Sequence, residues 1–414
     1  MLCTLAQVPI ALHYLGAESY GLWIVLMSIF GLLNFVDFGI GVGMQQKMAE
    51  AYARDDGVRL RRTFLSGCGA LAALGLLSLL IGLPVAWWGD WGRWFGLTAP
   101  ALQAQAPAAL AIIIGGFALG LPGNAVVRLG GALQLDRWQA AWNAAGNALT
   151  LLVVALAAHY RWGFLPFVAA SALLPAFQNL GLWWQLRRRL GWRGPGPGLL
   201  PRAEWGGLAR ASLFFVFPQF SLAVLAWLPA LIISLGSGAA AVTAFNLIQR
   251  LLGPLGQGQA ILLTPLWPAY TEARLRRDFT WLRRAEQRAW RTTLLLTAAI
   301  ALVCWQADLL IRWWVGPTAS QPEPALVWLT GLWSALLMIG RHYIYFLVGL
   351  DRLPVLARHA ALGAAGAVAG LAAGGLWGGA SAALALGSLG YALLGLPGLV
   401  IASHRPRLVA SPAL

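Results

Sequence analysis

The sequence predicts an all-α polytopic membrane protein of about 12 transmembrane helices, the first of them truncated, arranged as two six-helix bundles. Three observations carry the prediction. Hydrophobic residues make up 59% of the 414-residue chain and charged residues only 10%, against roughly 25% charged in a soluble domain. Apolar stretches of the ~20 residues that cross a hydrocarbon core recur from end to end. Basic residues gather in alternate loops, as expected of a chain that crosses the membrane back and forth.

The predicted spans cover residues 20–45, 63–88, 104–127, 139–158, 163–186, 207–234, 240–266, 291–314, 326–348, 354–376 and 380–403. Residues 1–14 are apolar but too short to cross. They read as the C-terminal half of one more helix, so the native start is expected upstream of Met1. No basic n-region or small-residue cleavage site marks them as a signal peptide.

The formal net charge is +15, which in a soluble protein would suggest nucleic acid. Here the arginines follow the loops. Lys47, Arg54, Arg59, Arg61 and Arg62 fall in one, and Arg187, Arg188, Arg189, Arg193 and Arg202 in another. A third holds Arg274, Arg276, Arg277, Arg283, Arg284, Arg288 and Arg291, and smaller groups are Arg128 with Arg137, Arg352 with Arg358, and Arg405 with Arg407. All lie on one side if the spans alternate, and the other side keeps Arg93, Arg161 and Arg312. The rich side is therefore expected to be cytoplasmic, with both termini on it, in a bacterial inner membrane. Partners are then membrane lipids rather than nucleic acid. Cys3, Cys68 and Cys304 sit singly in apolar runs and read as small buried residues.

The loops are short, and no soluble domain is inserted. The Gly/Pro-rich segment Gly191–Pro201 falls near the middle and reads as a hinge. The expected organisation is an N-terminal bundle over 1–190, a cytoplasmic linker over 191–206 and a C-terminal bundle over 207–414. A weak repeat supports it: Leu15-Gly16 recurs as Leu235-Gly236, and the segment 48–62 resembles 268–284. Bundles with even numbers of spans point the same way, related by a pseudo-two-fold axis along the membrane normal, with a substrate site between them. Trp87, Trp88, Trp91, Trp94, Trp183, Trp184, Trp313 and Trp314 cluster at span ends as an interfacial belt. Gly366, Gly370 and Gly374 recur every four residues, which lets another helix approach closely. Gly39, Gly41 and Gly43 imitate a dinucleotide fingerprint but lie in a span with no strand before them.

Ionisable groups inside a membrane cost about 2.5–3.5 kcal/mol each on insertion scales, so the few present are informative. Asp37 lies deep in the second helix with Asn34 and Gly41 on its face. It can bind a coupling proton or sodium ion, pair with a basic residue, or serve as a structural carboxylate. Arg250 lies near mid-span, with Asn246 one turn before and Gln257 two turns after. An Arg fork suits phosphate, and pairing with Asp37 is the structural alternative. Arg341 and His342 lie in the inner third of the tenth helix, where Arg341 either faces a cavity or snorkels to the interface. Asn143, Asn147 and Gln219 complete the candidate lining. Pro218 and Pro229 predict a kinked seventh helix, and Asp308 with Arg312 an i, i+4 structural pair. His13, His159, His359 and His404 show no metal-ligand spacing, and no nucleophilic triad, Walker loop or CxxC occurs. No cofactor, metal or catalytic residue is expected.

The segment LHYLGAESYGLWIVLMSIFGLLNFVDFGIGVG (12–43) resembles the start of the polysaccharide-transporter family, and KMAEAYARDDGVRLRR (47–62) fits the same pattern. In the second half, ISLGSGAAAVTAFNLIQRL, PLWPAYTEARLRRDFTWLRR and IRWWVG resemble its corresponding segments. The resemblance covers most of residues 10–316. It implies membership of the multidrug/oligosaccharidyl-lipid/polysaccharide exporter superfamily and a central cavity between two six-helix bundles. It also implies flipping of undecaprenyl-pyrophosphate-linked oligosaccharides, as O-antigen flippases do. Relatives often carry a polar or acidic residue where this chain has Pro229.

The expected function is thus translocation of a lipid-linked glycan by alternating access, for polysaccharide biosynthesis. Arg250 and Arg341 would meet the pyrophosphate, and Asn246, Gln257, Asn143, Asn147 and Gln219 the sugar hydroxyls. Asp37 and Asn34 would couple an ion or pair a charge. Glycan polymerase or glycosyltransferase machinery is an expected partner. A cation-coupled multidrug exporter of the same superfamily is the alternative. A glycan polymerase or ligase fits poorly, because external segments such as 89–103 and 315–325 are short and lack a His or acid cluster.

Overall fold

The computed structural model describes residues 2–33, 40–193, 198–200, 202–316 and 322–404, with the side chains of 2, 42, 175–177, 202–220, 222, 353 and 404 outside the description. Helices account for nearly all of these residues, and among them there is no strand. In hydrocarbon every backbone polar group must be paired within the protein, which an α-helix does locally.

The chain divides into two compact units, Met1–Phe220 and Ser221–Leu414. The first holds α1 (Leu2–Leu33), α2 (Ile40–Ala53), α3 (Gly57–Trp88), the short α4 (Trp91–Trp94), α5 (Pro100–Ala132), α6 (Asp136–His159) and α7 (Phe164–Arg189). α5 is its centre and packs on α1, α2, α3, α4, α6 and α7. Small residues make this possible: a Cβ on Gly75 would stand 2.7 Å from the Ala118 carbonyl oxygen, and one on Gly116 2.9 Å from that of Ala172. Close approach matters because lipid gives helices no hydrophobic drive to associate, so packing must supply it. Met44, Met48, Leu60, Phe64, Phe117, Leu121, Leu129, Leu182 and Leu186 form the core toward the arginine-rich end.

The second unit takes the latter part of α8 (Arg202–Leu263), then α9 (Leu266–Leu275), α10 (Phe279–Trp305) and α11 (Ala307–Val315). It ends with α12 (Pro324–Gly349), α13 (Leu353–Leu394) and α14 (Leu396–His404). α12 is central here, packed on α9, α10, α13 and α14. α10 and α11 bend by 70°.

Among the described residues eight helices are long and apolar enough to cross a membrane, nine with the bent pair. Two of these, Ala223–Leu275 and Pro354–Ser403, are 53 and 50 residues long. At 1.5 Å per residue each would reach roughly 75–80 Å, enough for two crossings. Each is broken at a glycine, Gly238 (φ 78, ψ 171) and Gly379 (φ 75, ψ −162), and α1 is broken likewise at Gly16 (φ 76, ψ 168). This backbone region is essentially confined to glycine. The two arms of α13 fold back on one another, Gly366 against Gly390 and Gly374 against Ala382. The breaks reconcile the long helices with the expected dozen spans.

The repeat is sharper in the backbone than in the sequence. Gly16 and Gly238 are 222 residues apart and share one conformation. So are Asp55 (φ 55) and Arg277 (φ 59). Asp56 caps α3 by accepting from the Arg59 N–H at 2.9 Å, and Asp278, 222 residues on, caps α10 from the Trp281 N–H at 2.9 Å. At the same offset Leu60 and Leu282 are both buried, and Arg61-Arg62 matches Arg283-Arg284. The offset falls to 217 at Gln134 (φ 57) and Asp351 (φ 60), so the second unit is five residues shorter between these points. The expected pairing of Gly16 with Gly236 is corrected by two positions. The turn needs positive φ, and Gly238 supplies it; Gly236 instead packs against the Gly375 backbone. Nor does Pro229 break α8, whose helical dihedrals run to Gly238.

Of the tryptophans expected at span ends, Trp88 and Trp313 are among the most exposed large side chains, whereas Trp183 stacks on Phe64. The three cysteines are free, and Cys304 is buried. Asp308 and Arg312 pair at 2.9 Å.

Candidate functional site

Arg250 stands twelve residues beyond the Gly238 break, about 18 Å along the helix and so near the middle of a ~30 Å hydrocarbon core. Helical spacing sets Asn246, Arg250, Gly253 and Gln257 on one face of α8. Asn246 and Arg250 are half-buried, while Gly253 and Gln257 are exposed, so the stripe is partly covered at one end and open at the other. Pro254 has no N–H, so the Arg250 carbonyl lacks its donor four residues on, which adds an acceptor to the stripe.

α12 supplies the neighbouring polar groups. The Arg341 guanidinium donates to the Gly256 carbonyl oxygen at 2.8 Å. One turn further, Tyr345 Oη lies 3.3 Å from Thr264 Oγ1. Arg341 is half-buried in this position, reaching sideways to α8 rather than snorkelling along its own helix.

Behind the stripe, Gln259 is fully buried and faces the other way. Its Nε2 donates to the Met338 carbonyl at 2.8 Å and to Thr293 Oγ1 at 3.2 Å. Thr293 Oγ1 lies 3.5 Å from His342 Nδ1, and the His342 ring stands 4.6 Å from that of Trp290. This network ties α8, α10 and α12 together. Sequence reading missed Gln259 and Thr293, because a single Gln or Thr in a span gives no sign of which helix it meets.

The charge balance of the second unit is lopsided. From Ser221 onward the acids are Glu272, Asp278, Glu286, Asp308, Glu323 and Asp351. All stand within two turns of a helix end. Mid-span ionisable groups are Arg250, Arg341 and His342. Among the described residues no carboxylate pairs with Arg250.

In the first unit Asn143 is exposed and Asn147 half-buried on α6. Between them, Gly146 leaves room for Gln178 of α7, and Trp142 Nε1 donates to Gln185 Oε1 at 2.8 Å. Gln178 and Gln185 are polar groups near the predicted pair that the sequence did not single out. Asn34 and Asp37 and the side chain of Gln219 lie outside the described residues. Among the described residues no cluster of His, Cys, Asp and Glu could hold a metal ion.

At the opposite end from the arginines, Glu18 follows the Gly16 break and reaches the start of α5. Its carboxylate accepts from the Thr98 and Ala99 N–H groups and from Thr98 Oγ1. Partial burial pushes its pKa up, but these donors outweigh it and hold the carboxyl below its ordinary value of 4.5. The helix dipole of α5 favours the same charge.

The family model for polysaccharide biosynthesis proteins matches residues 1–272, well over half of the chain. The chain belongs to the polysaccharide biosynthesis protein family. Solved structures agree on the fold of this family member. An inward-facing multidrug resistance transporter of the MATE family and MOP superfamily is 16% identical, with 97% of this chain and 94% of that chain covered and a TM-score of 0.76. A MOP superfamily transporter from Pyrococcus furiosus, described as having a binding pocket of reversed polarity, is also 16% identical, with 97% and 90% covered and a TM-score of 0.63. The lipid II flippase MurJ, in an inward closed conformation, is 14% identical, with 97% and 86% covered and a TM-score of 0.66. No curated protein sequence matches the chain. The polysaccharide biosynthesis protein thus has the fold of MOP-superfamily transporters.

Proposed function

We propose that this protein is a transporter, not an enzyme, that moves a lipid-linked oligosaccharide of the undecaprenyl-pyrophosphate type across a bacterial inner membrane. The observation that carries the reading is Arg250: a half-buried mid-span guanidinium in a unit whose carboxylates all stand near helix ends. A cation held in hydrocarbon at a cost of about 2.5–3.5 kcal/mol needs a counter-charge, and a passing pyrophosphate supplies one. The Arg fork binds phosphate oxygens in pairs. Asn246 and Gln257 on the same face, and Asn143 and Asn147 in the first unit, suit sugar hydroxyls. Arg341, held on Gly256, stands beside the stripe as a second positive charge.

Positive-inside loops set the arginine-rich end in the cytoplasm. A pyrophosphate leaving a negative interior carries about two charges outward, and at ~2.3 kcal/mol per charge per 100 mV the potential would contribute roughly 4–5 kcal/mol. Family membership in polysaccharide biosynthesis and the fold shared with a lipid II flippase support the same cargo class. A cationic drug as cargo is disfavoured, since the stripe would repel it.

The test is export of surface glycan by Arg250→Ala and Arg250→Lys variants at matched protein level. Losing a phosphate contact of ~2–3 kcal/mol predicts a drop of at least tenfold for Ala, with partial recovery for Lys. Wild-type export from Arg250→Ala would remove the residue from the mechanism.

A further inference from the structure

On the arginine-rich end of the second unit, α10 presents Trp281, Arg284, Ala285, Arg288, Ala289 and Thr292 on one continuous face. They form one wall of a cleft of about 250 Å³, and Leu262, Leu263 and Leu266 from the end of α8 and the start of α9 form the other. Ala285 and Ala289 make the floor, being small and buried, while Arg284 and Arg288 stand exposed one turn apart. Among the described residues neither arginine has an ion-pair partner, although nearby Arg274 pairs with Asp351 and Arg276 with Glu272. Leu262 and Ile261 beside the cleft are exposed. Two unneutralised guanidiniums therefore sit against an apolar wall at the depth where an indole marks the interface.

The repeat shows what this place looks like when it is filled. At the offset of 222, Arg288, Ala289 and Leu266 correspond to Ser66, Gly67 and Met44 of the first unit. There the Met44 side chain lies against Gly67, and Ser66 Oγ accepts from the Leu200 N–H, with Leu200 buried. Trp192 packs on Phe64 close by. The first unit covers its version of the surface with its own chain. The second leaves it open and adds a second arginine, Arg288, where the first has Ser66.

We propose that the cleft holds the phosphate headgroup of an anionic phospholipid of the adjacent leaflet, with an acyl chain along Leu262, Leu263 and Leu266. Charge complementarity selects this occupant: the last ten residues of the chain carry Arg405 and Arg407 and no acid, so they suit an arginine-lined cleft poorly. The site is distinct from the Arg250 stripe and would be a structural or regulatory lipid site rather than part of the transport path.

Native mass spectrometry of the full-length protein tests this, with phosphatidylglycerol as the probe and phosphatidylethanolamine as the zwitterionic comparator. Retention of phosphatidylglycerol should fall at least fivefold in the Arg284→Gln/Arg288→Gln double variant. It should stay within twofold of wild type in Arg276→Gln/Arg283→Gln, which removes the same charge outside the cleft. Equal losses in both double variants would reduce the effect to net charge and overturn the site. Displacement of the lipid by millimolar inorganic phosphate would show a free-anion site and overturn the lipid assignment. A severalfold gain in lipid retention on deleting residues 405–414 would make the tail the resident occupant and do the same.

Discussion

Gly370→Ala is a sharp test of how the second unit holds together. A methyl at this position would fall on the Leu386 carbonyl of the opposing arm of α13 and 2.8 Å from the Gly387 nitrogen. These are backbone atoms, so no rotamer change relieves the contact. The arms must separate by roughly 1 Å to reach normal contact distance, which forfeits a quarter to a half of each dispersion well along the seam. Overpacking of this kind costs ~1–3 kcal/mol, the upper end applying here because the obstacle is rigid. Against it stands the helix-propensity gain of Gly to Ala, about 1 kcal/mol. The expected net loss is ~2 kcal/mol. Gly258 on α8 provides the opposite case: a Cβ there meets nothing within 4 Å, so Gly258→Ala should gain up to ~1 kcal/mol. For a body of about 200 residues, ~2–4 °C per kcal/mol sets the two variants roughly 6–12 °C apart. The assay is stepwise heating of the purified full chain in detergent, followed by size-exclusion measurement of the surviving monodisperse fraction. A Gly370→Ala protein melting within ~1 °C of wild type would refute the reasoning, because the seam would then have slack that its geometry denies.

Glu18 should give the protein an acid-sensitive element. Its folded pKa is depressed, so its contribution is present above 4.5 and is lost as pH falls through the folded value; Glu18→Gln should cost ~1 kcal/mol near neutral pH and flatten that part of the acid limb of the stability profile, and an unchanged limb would count against the capping role. Asp37→Asn should reduce glycan export at least tenfold at matched protein level if the carboxylate couples an ion or counters a charge, and full export would leave it no such role.

Much of the fold was legible because each feature is local. Hydropathy gives spans, and the arginine bias orders the loops. The Gly366, Gly370 and Gly374 spacing foretold a close helix contact, and its partner is the other arm of the same helix pair. What failed to show were choices between equals and contacts across the chain. Gly236 and Gly238 are indistinguishable in composition, and only the backbone reveals which carries positive φ. Pro229 lies in α8 without a break in the helical dihedrals, which a membrane helix allows when its surroundings repair the ladder. The Glu18 to Thr98 cap and the Gln259 to Met338 bridge join residues about 80 positions apart. The stripe of Asn246, Arg250 and Gln257 was readable because one helix carries all of it; the hold of Arg341 on Gly256 was not.

The repeat also bears on why the polar residues differ between the two halves. At the offset of 222, Gln259 corresponds to Asp37 and Thr293 to Leu71; at 217, Met338 and His342 correspond to Leu121 and Ala125. In the second unit this position is a neutral amide, bonded to the Met338 backbone and to Thr293, with His342 beside it. In the first, the counterparts of those side-chain partners are apolar, and Leu71, Leu121 and Ala125 are fully buried. At this position of the repeat the sequence therefore carries a neutral amide in one half and an ionisable group in the other. The partners of Gln259 accept from its Nε2, which an ionised carboxylate could not match, and a carboxylate is costly to keep ionised in hydrocarbon. Such a group gains its charge only when a cation or proton-accepting path is at hand, which is the behaviour a transport cycle uses. Under the proposed function this asymmetry would divide the labour, Arg250 of the second half meeting the anionic head group and Asp37 of the first whatever balances it.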